Sequence, residues 1–411
     1  MISRSRLWVI FILGLFLIQC DNTPISSIES PDLKNRPFTP EELQLIQSSN
    51  HFAIQLFQRL SDQEIPRQKN IFVSPLSISL ALSMALNGAY GETYEAIYNT
   101  LQFQDMNLEA INTYSHSLIQ LLMELDPAVE FKIANSLFYR KGFPIKSPFM
   151  QVLAKYYFAE IAALDFQSPL AMQTINNWAS TQTNGMIRKI VDKISDDTML
   201  FLINAIYFKG MWSYPFSASD TEERPFYLAT GEEITVPTMY REGTVFRTQT
   251  EWGTIVDLPY GNRRFRMTIF LPEESTSLLD VIQQLTPETL TTYFQQLDSI
   301  KADLYLPKFK YTFNTTLNDI LKAMGMAVAF HPDQADFSGI SDKRLFISRV
   351  SHSAAVQVDE KGTEAAAVTA ILFDVVSVPP VIAVNRPFLF LIRENQANTI
   401  IFMGVVMNPA S

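Results

Sequence analysis

The stretch Leu76-Ser-Ile-Ser-Leu-Ala-Leu-Ser-Met-Ala-Leu86 is almost wholly apolar, and its ends are marked as those of a helix. Ser74 offers a capping hydroxyl, Pro75 fits the first helical position, and Gly88 is a stop. A helix apolar on nearly every side belongs in the interior, so the rest of the chain has to enclose it. The material is there: 47% of the 411 residues are apolar, enough for the core of one large domain or two ordinary ones.

Other segments suggest what does the enclosing. Leu200-Phe-Leu-Ile-Asn-Ala-Ile-Tyr-Phe208, ending at Lys209-Gly210, reads as a buried strand, although periodicity alone leaves helix open. Phe265, Met267, Ile269 and Leu271 alternate up to Pro272, as in a strand. Leu317, Ile320, Leu321 and Met324 fall at helical spacing with Gly325 as a stop. Helices dominate early and strands late, which gives an α+β class with extensive sheet. With no composition break, low-complexity block or repeat, residues 41–411 are expected to form one domain.

The first residues differ from the rest. Arg4 and Arg6 precede the apolar run Leu7 to Ile18, which reads as a signal peptide over residues 1–19 and is short of the roughly 20 residues a comfortable membrane span needs. Cys20 is the only cysteine, so no intrachain disulfide framework exists. Leu17-Ile18-Gln19-Cys20 resembles the bacterial lipobox, in which the cysteine is lipidated, while Gln19 stands where that motif favours a small residue. Ordinary cleavage beside an incidental cysteine is the other reading. Residues 20–40, rich in Ser, Pro, Asn and Asp, read as a polar tether. The protein is expected to be exported, as an extracellular or cell-envelope lipoprotein.

No chemistry of an enzyme is visible. The four histidines, His51, His116, His331 and His352, lack zinc-type spacing, and no nucleophile elbow, phosphate loop or dinucleotide fingerprint occurs. No metal or cofactor is expected. A net charge of -10 offers no basic stripe for phosphates, which argues against a nucleic-acid partner.

One segment has a peculiar composition: Val358-Asp-Glu-Lys-Gly-Thr-Glu-Ala-Ala-Ala-Val-Thr-Ala370, then Ile-Leu-Phe-Asp-Val-Val-Ser-Val378 and Pro379-Pro380. It resembles the hinge and reactive-centre loop of the serpins. Asn70-Ile-Phe-Val-Ser-Pro-Leu-Ser77, Asn204-Ala-Ile-Tyr-Phe-Lys-Gly-Met-Trp212, Asn385-Arg-Pro-Phe388 and Phe402-Met-Gly404 through Asn408-Pro409 match the same family in order and spacing. So do Trp178, Asn184-Gly-Met186, Thr221-Glu-Glu-Arg-Pro-Phe226 and Leu306-Pro-Lys-Phe309, and the resemblance spans everything after the tether.

The resemblance implies the serpin fold: a helical cluster, a large central β-sheet, further sheets and an exposed reactive-centre loop. It also implies a monomeric suicide inhibitor of serine endopeptidases, which is cleaved, holds the protease as an acyl-enzyme and inserts the loop as a strand. By resemblance, Glu360, Gly362, Thr363, Glu364, Ala365, Ala366, Ala367, Val368 and Thr369 form the hinge. Ser74, Ser77, Asn204, Trp212 and His352 match the shutter and breach, where the sheet opens. The bland reading of these polar residues is a set of satisfied buried groups. Counted from Glu360, the loop length usual in the family it resembles implies a reactive bond at Val376–Ser377, which suits an elastase-like protease, whereas cleavage at Leu372 or Phe373 would suit a chymotrypsin-like one.

The residues themselves are compatible with strand insertion. Thr363, Ala365, Ala367, Thr369, Ile371 and Phe373 would share one uncharged face, and Glu364 and Asp374 fall on the other. No proline interrupts Gly362 to Ser377, so every backbone donor needed for pairing is present. Val368 is bulkier than the residues usual in this hinge. The contrasting reading is a non-inhibitory surface-tethered binding lipoprotein on the same fold, for which a charged or proline-rich hinge would have been the sign. This hinge is intact, which favours the inhibitor.

Overall fold

The computed structural model describes residues 36–362 and 379–411. Cys20 and the hinge and reactive-bond residues from Thr363 to Ser377 lie outside the described residues. The first half runs α1 (Pro40–Glu64), β1 (Ile71–Val73), α2 (Pro75–Leu86), α3 (Gly91–Thr100), α4 (Leu108–Glu124), β2 (Val129–Arg140), α5 (Ser147–Tyr157), β3 (Glu160–Leu164), α6 (Pro169–Gln182) and β4 (Leu200–Gly210). Next come β5 (Glu222–Tyr227), β6 (Glu233–Gln249), β7 (Gly253–Tyr260), β8 (Phe265–Pro272), α7 (Leu278–Gln283), α8 (Pro287–Gln295) and β9 (Asp298–Pro307). The chain closes with β10 (Phe309–Thr316), α9 (Asn318–Leu321), β11 (Ser351–Val358), β12 (Val381–Ala383), β13 (Phe388–Glu394) and β14 (Ile400–Val406).

The apolar helix is where its composition requires. In α2 every residue except Ala81 is buried, and the Ser74 hydroxyl accepts from the Ser77 N–H to cap it. The fold begins slightly before the expected boundary. Thr39 and Pro40, tether by composition, are the cap and first residue of α1: Thr39 and Glu42 form a capping box, and Phe38 is already buried. The helix predicted before Gly325 exists as α9 and a wider turn over Lys322–Met326, in which Gly325 takes a φ of 116°.

Among the described residues the strands form three sheets. A nine-stranded sheet runs β1-β14-β13-β8-β7-β6-β9-β12, with β5 added on β6. The other two sheets are β3-β2-β4 and β10-β11. Strand β4 is largely apolar because both its faces are covered. Ile203 and Ala205 pack with Trp178 of α6, while Ile206, Leu202 and Phe208 join the main core.

The nine-stranded sheet also buries charge. Asp257 of β7 accepts from Thr268 at 2.5 Å, from Arg266 at 2.6 Å and from Arg393 of β13 at 3.1 Å. Asp257 is 0% and Arg393 1% exposed, and the Arg393 guanidinium lies 3.9 Å from the Phe294 ring centre. Removing one member of such a pair strands the other in a dry interior. Asp257→Ala is therefore expected to lower stability by about 3–5 kcal/mol, read from the urea midpoint.

Candidate functional site

The two smaller sheets lie side by side. Strand β4 pairs with β2 on one edge and β11 pairs with β10 on one edge, and among the described residues no ladder joins β4 to β11. Their direction follows from the contacts at their ends. Asn204 of β4 and His352 of β11 both reach the start of α2, whereas the ends of both strands meet around Trp212 and Glu360. The strands therefore run the same way. Between them is a cleft of about 180 Å³, lined by Ile206 to Gly210 from one strand and Ala355 to Val358 from the other, with Met186 and Ile187 from the connection after α6.

At the α2 end the seam is held by neutral polar groups. The Ser74 N–H donates to His352 Nε2 at 3.1 Å, and the Ser74 hydroxyl donates to the Ile401 carbonyl at 2.8 Å. The Ser77 hydroxyl donates to Asn204 Oδ1. Asn204 Nδ2 then donates across the β4–β2 pair to Asn135 at 2.7 Å, and Asn135 Nδ2 reaches the Tyr157 carbonyl at 2.7 Å. Tyr157 continues the relay through its hydroxyl to Asn112 at 2.8 Å, and Asn112 pairs with Asn87. Because His352 Nε2 accepts, the ring is neutral, and burial pushes its pKa from 6.5 down to about 4.

At the other end the seam is held by a ring stack and one ion pair. The Trp212 indole lies on Tyr260 with centres 4.4 Å apart and planes 12° apart, and its Nε1–H donates to the Asp359 carbonyl at 2.9 Å. The Phe216 N–H donates to the Glu360 carbonyl at 3.1 Å. The Glu360 carboxylate accepts from Lys308 at 2.9 Å and from Thr221 at 2.7 Å. Burial alone would raise this carboxyl; Lys308 and Thr221 overcome that and hold it below its usual range.

Gly362 follows in a left-handed turn with φ of 66°, where a Cβ would overlap the Trp212 backbone nitrogen and the Gly210 carbonyl. Only glycine turns the chain here without displacing the strand ends.

All five residues matched to shutter and breach thus lie at the two ends of one seam: Ser74, Ser77, Asn204 and His352 at one, Trp212 at the other. Glu360 and Gly362 lie beside Trp212. Sequence reasoning gave no role to Asn135, Tyr157, Tyr260, Thr221 or Lys308. Thr221 and Lys308 stood inside matched motifs, but their partner Glu360 is 139 and 52 residues away, and nothing local signals the pairing.

The neutral histidine has a pH consequence. The unfolded chain takes up a proton at His352 below about pH 6.5, while the folded chain resists until about pH 4. Its contribution is therefore complete above pH 6.5 and is lost as pH falls towards 4. The loss should reach roughly 3 kcal/mol at most. Urea midpoints at pH 7 and pH 5 should fall further apart in the wild type than in His352→Asn, and equal slopes would refute the assignment.

Comparison with known proteins agrees with this architecture. The chain matches the model of the family described as Serpin (serine protease inhibitor) over residues 47–409. It is 35% identical over 383 residues to Iripin-8 of Ixodes ricinus, covering 89% of this chain and 94% of that one. Human thyroxine-binding globulin, solved in complex with thyroxine, superposes with a TM-score of 0.82 at 30% identity, over 90% of this chain and 99% of the other. Tengpin, a thermophilic serpin solved in its native state, superposes with a TM-score of 0.79 at 31% identity, over 91% and 95% of the two chains. An almost wholly apolar helix inside, a split sheet sealed at two ends and a match over nearly the whole described fold place this chain in the serpin family of serine protease inhibitors.

Proposed function

We propose that this protein is a single-use trap for serine endopeptidases of the elastase type, cleaved between Val376 and Ser377 and completed by insertion of Thr363 to Phe373 between β4 and β11. The observation that carries the reading is the seam: two strands running the same way, each paired on one edge among the described residues, with the chain leaving β11 at a glycine turn beside their common end. A segment doubling back from Gly362 would run antiparallel to both neighbours, the favourable pairing. Thr363 to Phe373 is as long as the 11 residues of β4. Its uncharged face avoids burying an unpaired carboxylate, which would oppose insertion by several kcal/mol or so. Valine before the cleaved bond fits a shallow apolar specificity pocket.

The signal-like residues 1–19 and the lipobox-like Cys20 support export with a lipid-anchored N-terminus, with the residues between Cys20 and the start of the described fold at Arg36 as spacer. Mass spectrometry of the chain purified from host membranes should find diacylglyceryl mass on Cys20, and a free thiol there would leave only secretion.

Mixed with an elastase-like protease, the chain should form a complex that survives denaturing electrophoresis and release a peptide beginning at Ser377. Thr363→Arg places a charge on the face to be buried and should give cleavage without complex. Trapping by Thr363→Arg at wild-type efficiency would refute insertion. The likeness to thyroxine-binding globulin supports a second reading, a carrier on this fold; clean cleavage without complex by elastase-, trypsin- and chymotrypsin-like proteases alike would favour it.

A further inference from the structure

The connection between α6 and β4, residues 183–199, lies on the side of the seam that α6 covers. Asn184 fastens its start to β2: Asn184 Nδ2 donates to the Glu130 carboxylate at 2.9 Å, and Asn184 Oδ1 accepts from Lys132 at 3.1 Å. Met186 and Ile187 then line the cleft between β4 and β11. Farther on, Val191 packs with Trp178 of α6 and with Ile203 and Ala205 of β4. The next residue, Asp192, accepts from Arg349 Nη1 at 3.0 Å, and Arg349 lies two residues ahead of Ser351, where β11 begins. The pair therefore joins the β4 wall of the seam to the β11 wall, at the end where Ser77 and Ser74 of the α2 clasp hold Asn204 and His352.

Both partners stand on fixed backbone. Asn176 of α6 accepts from the Ile190 and Val191 N–H groups at 2.8 and 2.9 Å and donates to the Val191 carbonyl at 2.8 Å. Asn318 of α9 holds the other side in the same way, accepting from the Val350 N–H and donating to the Ser348 carbonyl, both at 2.8 Å. An exposed ion pair ordinarily contributes little, because ordering two side chains costs entropy and water screens the charges. Here the two amides have already ordered the backbone on each side, and the Arg349 guanidinium holds the Asp192 carboxyl below its usual range. Both side chains are about half-exposed, so the pair opens without stranding a charge in the interior, and salt reaches it. A tie that must break in use needs those properties, which the buried pair of Asp257 and Arg393 lacks.

We propose that Asp192 and Arg349 are positioning residues for strand insertion: their ion pair ties the two walls of the seam together and opens to admit the segment from Thr363 to Phe373, so that its strength sets the rate of insertion. The inference rests on the insertion reading above. A segment as long as β4, doubling back from Gly362 beside Gly210, ends level with Leu200. The tie lies near that end, where the residues that carry the acylated protease have to settle. Protein chains do not thread through closed loops, and an end bearing a protease is far too bulky to pass beneath a closed tie.

Uptake of a synthetic peptide with the sequence of Thr363 to Phe373 by the full chain, followed on native gels at low and at high sodium chloride, tests it. The wild type is expected to take up peptide about two- to fivefold faster at high salt, the change that loss of an exposed pair allows. Asp192→Asn and Arg349→Gln should show the fast rate at both salt concentrations, and as surface changes they leave the fold intact. Exchanging the charges, Asp192→Arg together with Arg349→Asp, should restore the salt dependence, which a merely structural role for either residue would not do. Unchanged salt dependence in the neutral variants, no restoration by the exchange, or no uptake by any of these chains would each overturn the proposal. Complex formation with an elastase-like protease, measured on the same variants, separates the tie from the trap. Salt-dependent uptake without complex would remove trapping and keep the tie, whereas complex formation with salt-independent uptake would remove the tie and keep trapping.

Discussion

The seam between β4 and β11, unpaired among the described residues, is the constraint on which the rest of the structure turns. Each strand has a ladder on one edge, and among the described residues the facing edges meet only where other elements clasp them. A strand edge is a template for another strand, and most proteins cover or disrupt theirs. Here the edges face one another across a cleft, so the template is turned inward. Helix α2 supports the seam from below through Ser74 and Ser77, and α6 covers β4 from the other side through Trp178.

The two clasps differ in chemistry. The one at α2 is a relay of neutral groups in which His352, Ser74, Ser77, Asn204 and Asn135 satisfy one another and the backbone. Such a network is specific about geometry, because any member left alone in the interior loses a hydrogen bond without regaining water. The other clasp adds the pair of Lys308, 35% exposed at its side chain, with the better buried Glu360. Partial exposure lets water screen that pair, so its role is chiefly to fix the position of Glu360.

Much of this was legible because it is local. The cap, proline and apolar body of α2 are contiguous residues, and the runs that became β4 and β8 carried enough apolar side chains to be read as strands. The seam's polar residues were legible only through resemblance, because nothing in the neighbourhood of Asn204 or His352 distinguishes a clasp from any other buried polar group. Asn135 sits opposite Asn204 in a ladder whose register no single segment encodes. The boundary at Thr39 was missed for a related reason: composition registers Ser, Thr and Pro as tether, whereas a capping box uses these same residues to start a helix.

The residues that seal the apolar helix come from opposite ends of the chain. Ile71 to Val73, just ahead of α2, pair with Met403 to Val405, the Ser74 hydroxyl needs the Ile401 carbonyl, and the Phe72 ring stacks on Phe402 at 4.9 Å. Until the last strand arrives, a newly made chain carries an apolar helix with no cover on that side. Folding is therefore a late event that waits on the C-terminus: the loop to be closed is nearly the length of the molecule, contacts so distant in sequence form slowly, and the exposed intermediate is the species most prone to aggregate. A truncation of the final strand would accordingly be felt first as a failure of assembly during synthesis, before any question of function arose.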